Sequence, residues 1–340
     1  MVKRRPFPPE TPWLVAAIDY NHCGKLSLAR RLVAQAVAAG AHAVKIAVRE
    51  NAVKGTPELQ GSSWPTADNL GVQREKCWKE LELTPRGLSA VRREARGRLA
   101  FVAAPHDLAA LKSARALNPD VYQIDASALG DLPLVRAIGR TRRPVLLVAG
   151  TCTEARIAAA LKELGDAVVV IMHTVTAVPL EPVQTRLGFI QTLRKRYKRQ
   201  IGYLGWEHGG SWSLVAASLG AVVIEKPLTI DKNLDGPLHT WSLNPDEFGV
   251  LARNLRDMPE VLKADQRRSV FPEELAGRAD VGHSLVAKRR LSRGTRLRSS
   301  HFVVRAPMGG LSPRLLSWVE GRRLLYDVEA GEPITFGLVE

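Results

Sequence analysis

The chain has 340 residues, of which 45% are hydrophobic and 24% are charged, as is usual for a folded globular protein. No apolar run approaches the roughly 20 residues that a membrane span needs, and the basic N-terminus lacks the apolar stretch of a secretory signal. Cys23, Cys77 and Cys152 lie far apart, so neither a disulfide framework nor a zinc knuckle is indicated. These features predict a protein of the reducing cytoplasm.

The net charge of +15 is typical of proteins with anionic partners. Two runs, at 194–199 and 288–298, carry much of the basic excess. The first run ends a predicted helix, where the helix dipole favours cations and a solvated face is the simpler interpretation. The second is interpreted as a surface loop or strand, or as an anion-facing edge. No RNA-binding signature, zinc finger or helix-turn-helix pattern accompanies either run, so nucleic acid is the minority interpretation.

Short apolar runs alternate with helical patterns along most of the chain. Eight runs predict buried strands, at 13–18, 41–48, 99–104, 121–124, 144–149, 167–172, 201–204 and 221–225. Helical patterns include 27–40, 84–97, 153–165 and 244–257. The last opens with Asn244 as N-cap, Pro245 at the first helical position and Glu247 two residues further on, which predicts a capping box.

This order of elements predicts a (β/α)8 barrel, because eight strand–helix units within about 250 residues fit that topology. A doubly wound open sheet is the alternative. Its glycine-rich first turn is missing, since the chain reads DYNHCG after Ile18.

The alternation is interrupted once and then stops. The polar segment 50–79 follows the second predicted strand, which predicts a loop at the C-terminal face of the barrel. Residues 1–258 are predicted to form the barrel domain, and the charged stretch 259–280 a linker. Residues 281–340 contain short β-like runs and predict a small, mostly-β domain. A core of that size is expected to dock on the barrel or on a second subunit.

An ordered series of motifs resembles the sialic acid synthase family. The motifs include NHCGKLSLAR at 21–30, AHAVKI at 41–46, IEKPLTIDK at 224–232 and HSLVAKRRLSRG at 283–294. The resemblance implies a TIM barrel followed by an antifreeze-protein-like SAF domain, in a protein of carbohydrate biosynthesis. Members of that family condense phosphoenolpyruvate with an amino-sugar aldehyde at a divalent metal. It also implies a homodimer in which the SAF domain reaches the site of the other protomer.

The same resemblance implies that the family's reactive positions are substituted here. The two metal-binding histidines correspond to Trp206 and Pro227, so we expect no Mn²⁺ or Mg²⁺ cofactor. Positions that contact phosphoenolpyruvate in the family correspond to residues without the expected charge or polar group: Ala17, Ala104, Gln123, Ala126, Ala128 and Val175. An arginine of the SAF domain corresponds to Ala306, with neighbouring Arg305 as a candidate replacement.

Polar residues at the predicted strand ends are candidates for a rebuilt site. Lys45 is expected to face the barrel interior, where burial would lower its pKa and suit it to anion binding or to Schiff-base formation. The candidate catalytic residues are Lys45, Asp19, His106, Asp125 and His208. The candidate substrate-binding residues are Asn21, His22, His173, Glu225, Lys226 and Arg305. Glu225 and Lys226 also fit a structural role, as a buried ion pair that holds the eighth strand.

Functions from two different classes stay open. The first is an enzyme with altered, C–C bond-forming or lyase-type chemistry on a small, polar, anionic substrate. Its candidate residues would meet in the barrel mouth. The second is a non-catalytic subunit that forms a heteromer with an active synthase, with a mouth filled by Trp206 and its neighbours. A conventional metal- and phosphoenolpyruvate-dependent synthase ranks third, because the residues of its site are substituted.

Overall fold

The computed structural model describes Phe7 and residues 12–49, 80–177, 180–263 and 269–340. The chain divides into two compact units, Met1–Lys263 and Ala264–Glu340. The predicted loop at 50–79 lies outside the described residues.

The first unit is a closed barrel of eight parallel strands, in which β1 pairs with both β2 and β8. The strands are β1 (Trp13–Ala17), β2 (Ala43–Val48), β3 (Ala100–Pro105), β4 (Val121–Ile124), β5 (Val145–Ala149), β6 (Val169–His173), β7 (Gln200–Leu204) and β8 (Ala221–Pro227). Each strand overlaps one of the predicted apolar runs. The predicted (β/α)8 barrel is therefore confirmed.

Helices follow the strands and surround the barrel. They are α1 (Leu26–Ala38), α2 (Pro85–Ala95), α3 (Leu108–Ala116), α4 (Leu132–Gly139), α5 (Glu154–Leu164), α6 (Pro182–Thr185), α7 (Phe189–Tyr197), α8 (Ser211–Ser218) and α9 (Pro245–Val261). The predicted capping box starts α9. Asn244 Oδ1 accepts the Glu247 N–H at 2.9 Å, and Glu247 Oε2 accepts the Asn244 N–H at 3.0 Å. Within the described part of the chain, no helix is both long and apolar enough to cross a membrane.

Successive residues of each strand face two separate cores, because side chains alternate between the two faces of a strand. Outward residues such as Leu14 and Phe101 pack under the helices. Inward residues such as Val15 and Val102 fill the barrel. Each fully buried side chain of this kind contributes about 1.5–3 kcal/mol to stability. The same alternation decides which polar side chains reach the mouth of the barrel.

The second unit contains α10 (Pro272–Val281), β9 (Ser284–Ala287), β10 (Phe302–Arg305) and α11 (Leu316–Val319). Strands β9 and β10 are antiparallel, with Phe302 opposite Ala287. A small core that includes Leu285, Leu324 and Ile334 holds this unit together. Helix α10 covers the end of the segment predicted as a linker and continues one residue past it, and the first compact unit ends at Lys263.

Candidate functional site

A cavity of about 580 Å³ opens at the carboxyl ends of the barrel strands. Its lining includes at least one residue from every strand or from the loop directly after it: Asp19, Lys45, His106, Asp125, Val148, Thr176, Leu204 and Glu225. Active sites of (β/α)8 barrels lie at this face, where the loops after the strands meet. The geometry therefore marks this cavity as the candidate site.

Lys45 lies at the centre of a buried charge cluster beside the cavity. Its Nζ is 2.6 Å from Asp19 Oδ2, 3.5 Å from Asp125 Oδ1 and 3.6 Å from Glu225 Oε1. We name Lys45, Asp19, Asp125 and Glu225 the inner cluster. Lys45 and Glu225 are only 4% and 1% exposed. With one ammonium and three carboxyl groups, the cluster has a negative excess whenever all its members are ionised.

The cluster shifts the pKa values of its members in different directions. Burial disfavours the charged form of Lys45, but Asp125, Asp19 and Glu225 outweigh this effect and raise its pKa well above the ordinary value. Burial raises the pKa of Glu225 to about 7, although the Lys45 charge acts in the opposite direction. Burial also opposes ionisation of Asp125, but the Lys45 charge and the hydrogen bond from His106 hold its pKa below the usual range. At neutral pH, Glu225 is thus the member that exchanges a proton.

The predicted lowering of the Lys45 pKa is wrong. The expectation considered burial alone, whereas three carboxyl groups stabilise the ammonium form. A Schiff base needs a neutral amine as the nucleophile, and this lysine stays protonated at neutral pH. Its charge is also already compensated by its neighbours, so the geometry supports neither role predicted for it.

His106 and Arg49 lie on the cavity wall next to the inner cluster. His106 Nε2 is 3.3 Å from Asp125 Oδ2 and 3.0 Å from Arg49 Nη2. Burial and the Arg49 charge lower the pKa of His106, so its ring is neutral at neutral pH. Arg49 also donates to the Tyr20 hydroxyl and lies over the Tyr20 ring. Burial raises the pKa of Tyr20 to about 12.

Four residues that line the cavity carry a buried polar atom with no hydrogen-bond partner among the described residues. These atoms are Asp19 Oδ1, Asn21 Oδ1, Trp206 Nε1 and Glu225 Oε2. The Asn21 amide is fixed at its other end, where Nδ2 donates to the Leu228 carbonyl at 2.8 Å. Buried polar groups are nearly always paired, and an unpaired one costs about 1–3 kcal/mol. Their concentration on one cavity indicates that ordered water or a bound ligand completes these hydrogen bonds.

The rest of the cavity lining is mostly apolar with scattered hydroxyl groups. Its apolar residues are Val148, Leu204, Trp206, Pro227 and Leu238, and its hydroxyl residues are Ser127, Thr151 and Thr176. Sequence reasoning did not assign a role to the hydroxyl residues, to Tyr20 or to Arg49. The alternation of side chains along β2 could have identified Arg49 as a cavity residue. Lys45 and Arg49 are four residues apart, so they face the same side of the strand.

Two of the candidate histidines lie outside the cavity. His208 is exposed, and its ring packs on Trp241 with the ring centroids 4.3 Å apart. His173 is buried on the outward face of β6, where its Nε2 lies 2.9 Å from the Thr185 carbonyl oxygen. Burial lowers the pKa of His173. The structure therefore gives neither histidine a contact with the inner cluster.

His22 makes no contact with the inner cluster, and Arg305 belongs to the other compact unit. His22 is buried in a small side pocket, and its Nδ1 accepts the Gly24 N–H at 3.1 Å. Burial and the Arg49 charge lower the pKa of His22 to about 4. Arg305 lies in β10 of the second unit, where its side chain is exposed.

Lys226 belongs to a second buried cluster on the outward face of β8. Its Nζ donates to the Glu207 carbonyl oxygen at 2.7 Å and lies 3.3 Å from Glu207 Oε1. The hydroxyls of Tyr203 and Ser213 donate to the same carboxylate, at 3.0 Å and 2.7 Å. We name Lys226, Glu207, Tyr203 and Ser213 the outer cluster. A glycine at 205 permits this arrangement, because a Cβ there would lie 2.3 Å from Glu207 Oε2.

The predicted ion pair between Glu225 and Lys226 is wrong. Adjacent residues of a strand point to opposite faces, so Glu225 faces the barrel interior and Lys226 faces the helices. Each residue finds its partner on a different element.

The cavity residues do not fit the divalent metal that the family resemblance implies. Trp206 and Pro227, which the resemblance places at the positions of the two histidine ligands, both line the cavity. An indole N–H is only a donor, and a proline side chain offers no lone pair. The nearby carboxyl groups of the inner cluster already surround the Lys45 ammonium. Among the described residues, no group of three His, Cys, Asp or Glu side chains is arranged to hold a metal ion.

The fold and the cavity define a (β/α)8-barrel protein with a polar pocket at its C-terminal face. Residues 32–267 match the model of the NeuB family, and residues 282–340 match that of the SAF domain. The chain therefore belongs to the NeuB family, as the sequence motifs predicted.

Curated relatives span nearly the same length as this chain. The N,N'-diacetyllegionaminic acid synthase of Campylobacter jejuni is 27% identical over 315 residues, which cover 88% of this chain and 91% of the relative. The N-acetylneuraminate-9-phosphate synthase of Homo sapiens is 26% identical over 334 residues, which cover 96% of this chain and 92% of the relative. The chain is thus a sialic-acid-synthase-like protein of a family in sugar-acid biosynthesis.

Solved structures share the fold. The spore coat polysaccharide biosynthesis protein SpsE of Bacillus subtilis has a TM-score of 0.65 at 21% identity, covering 100% of this chain and 98% of that one. The N-acetylneuraminic acid synthetase of Leptospira borgpetersenii has a TM-score of 0.68 at 22% identity, covering 78% of this chain and 90% of that one. These matches support the predicted architecture.

Proposed function

We propose that the barrel mouth binds and converts a small, polar, sugar-like metabolite without the metal- and phosphoenolpyruvate-dependent condensation that the family resemblance implies. The observation that carries this proposal is the set of unpartnered buried atoms around a cavity of about 580 Å³. A volume of this size suits a small molecule, and the unpartnered atoms supply the few oriented polar contacts that such sites use.

The same geometry argues against a purely non-catalytic subunit. That hypothesis predicted a mouth filled by Trp206 and its neighbours. Trp206 instead forms part of the wall of an open cavity, and the inner cluster stays buried beside it. A buried, incompletely paired charge cluster lowers the stability of the folded protein. Its presence supports a ligand-binding role.

The inner cluster suits proton transfer coupled to making or breaking a C–C bond. Glu225, with a pKa of about 7, can remove the proton from a ligand hydroxyl group at neutral pH. This hydroxyl lies β to a carbonyl of the ligand. As the hydroxyl becomes a carbonyl, the C–C bond between its carbon and the α carbon breaks, and the electron pair of that bond forms an enolate with the carbonyl already present. The indole N–H of Trp206, the unpartnered donor on the cavity lining, is available to stabilise the enolate oxygen. The enolate then takes the proton back from Glu225, and the reverse sequence joins the two fragments.

A binding experiment tests this proposal. Elemental analysis of the purified protein, with calorimetric titration of Mn²⁺ and of phosphoenolpyruvate, is expected to show neither stoichiometric metal nor phosphoenolpyruvate binding. A panel of polyhydroxylated metabolites, followed by Trp206 fluorescence, is expected to contain a ligand whose binding is lost in Asp19→Asn. The variant Trp206→Phe serves as the control that assigns the signal.

Two results would contradict the proposal. Stoichiometric metal together with phosphoenolpyruvate binding would restore the conventional synthase. A panel in which no metabolite binds would favour the non-catalytic subunit instead.

A further inference from the structure

We infer that the side of the cavity formed by the inner cluster is an ammonium-binding site, so that the ligand carries a free amine. This inference rests on the proposed function, since it assumes that the mouth binds a small molecule. It goes further by choosing the chemical class of the group that contacts the inner cluster. The names of the relatives specify N-acetylated products, in which the nitrogen is a neutral amide. A ligand with a free amine would differ from those products at this nitrogen.

The inventory of unpartnered atoms favours a ligand rich in donors. Three of the cavity's unpartnered atoms are acceptors, namely Asp19 Oδ1, Asn21 Oδ1 and Glu225 Oε2, and one is a donor, Trp206 Nε1. An ammonium group has three N–H donors and no acceptor. A phosphate or carboxylate has only acceptors, so it would pair with Trp206 and leave the three oxygens unpaired.

The charges around Glu225 favour the same ligand class. Asp19, Lys45 and Asp125 face Glu225 from β1, β2 and β4 or the loops after them. Gln123 of β4 donates to Glu225 Oε1 at 3.3 Å and to Asp125 Oδ1 at 2.8 Å. Because Lys45 is the one cation in contact with these three carboxyl groups within the described residues, an entering anion would meet a net negative wall. An entering ammonium would balance it.

Among the described residues that line the cavity, the remaining titratable or charged groups are His106, Arg49 and Tyr20, whose pKa burial raises to about 12. His106 contacts Asp125 rather than Glu225, and its lowered pKa keeps it neutral at neutral pH. Arg49 contacts Tyr20 and His106 on the same side of the cavity. An anionic group elsewhere on the same ligand would therefore find its cation in Arg49 rather than in Lys45. This arrangement suits an amine-bearing polyhydroxylated metabolite, with or without an acidic group.

Ammonium binding should be linked to the ionisation of Glu225. A positive charge at Glu225 Oε2 favours the carboxylate, so binding lowers the pKa of Glu225 from about 7. Below that pH the protein must release a proton when the ligand binds. The affinity therefore rises with pH up to about 7 and then levels off.

Calorimetry with a matched pair of probes tests the inference. The probes are 1-amino-1-deoxyglucitol and glucitol, which differ only in replacing a hydroxyl by an amine, with inorganic phosphate as the anionic probe. We expect the amino compound to bind about tenfold or more tightly than glucitol, as for hydrogen bonds between charged partners. Below neutral pH, titrations in two buffers of different ionisation heat should show release of up to one proton.

Two variants complete the test. Glu225→Gln should abolish the proton release and reduce the preference for the amine, while His208→Ala, outside the cavity, should change neither. If glucitol or phosphate binds as tightly as the amine, the inference of an ammonium-binding site is wrong, but the cavity still binds small molecules as proposed. If no probe binds the folded protein, the ammonium-binding site is contradicted, while the proposed function is decided separately by the metabolite panel and Asp19→Asn.

Discussion

The inner and outer clusters lie on opposite faces of β8, and each contains a buried lysine with carboxylate partners. In the outer cluster, Lys226 and Glu207 are matched one to one, and Tyr203 and Ser213 supply further donors. In the inner cluster, a single lysine faces three carboxyl groups, and two of its carboxyl oxygens remain unpartnered beside a cavity. Burial and charge are common to both clusters. Unsatisfied hydrogen-bonding capacity beside open volume is what distinguishes a candidate site from a structural ion pair.

The two lysines also differ in the direction of their pKa shifts. Burial lowers the pKa of Lys226, and the Glu207 carboxylate offsets this only in part. The pKa of Lys45 is raised, because its three carboxyl neighbours outweigh the same effect of burial. The two shifts differ in direction because three nearby carboxyl groups stabilise the charged form of Lys45, whereas burial prevails at Lys226.

The largest expected effect is on stability, from breaking the outer cluster. Lys226→Met leaves the Glu207 carboxylate buried without its cation, so we expect a loss of about 3–5 kcal/mol in the free energy of unfolding. Chemical denaturation measures this loss.

A matched control is Lys232→Met. Lys232 pairs with Glu247 at 2.6 Å, but its side chain is 32% exposed. A partly exposed pair should contribute less than about 1 kcal/mol. Equal losses in the two variants would contradict the structural role assigned to the outer cluster.

The next effect concerns the pH dependence of stability through Glu225. Its pKa of about 7 in the folded protein lies above the ordinary value of 4.5, so the folded protein holds this proton more tightly than the unfolded chain. This group therefore makes the wild type lose stability as the pH rises from 4.5 to about 7. The full change is on the order of 3 kcal/mol, at about 1.4 kcal/mol per pKa unit.

Glu225→Gln removes this titration, so the unfolding free energy of the wild type should fall relative to that of the variant across the same window. Denaturation of both proteins in a series of buffers measures the difference. If it stays constant with pH, Glu225 does not carry the raised pKa, and its proposed part in proton transfer loses its basis.

The smallest expected effect is that of His208→Ala. Because His208 is exposed and contacts Trp241 rather than the inner cluster, we expect a change within about 0.5 kcal/mol in stability. Ligand affinity in the mouth should equal that of the wild type. A clear loss of affinity in a fluorescence titration would return His208 to the candidate site.

The sequence by itself determined the barrel, the SAF domain and part of the candidate site. The strand runs and the Asn244 capping box depend on local periodicity and local hydrogen bonds, which a single sequence displays. Inward alternation and position at a strand end were enough to bring Asp19, Lys45, His106 and Asp125 to one cavity, together with Asn21 and Glu225.

Only the tertiary structure decided how these residues interact. The raised pKa of Lys45 depends on carboxyl groups that follow β1 and β4 or lie in β8, far from it in sequence. The partner of Lys226 is Glu207 rather than its neighbour Glu225, and His173 faces the helices rather than the mouth. Electrostatic interactions act through distance in space. Sequence order shows which side chains are available, while the closure of the barrel sets the distances between them.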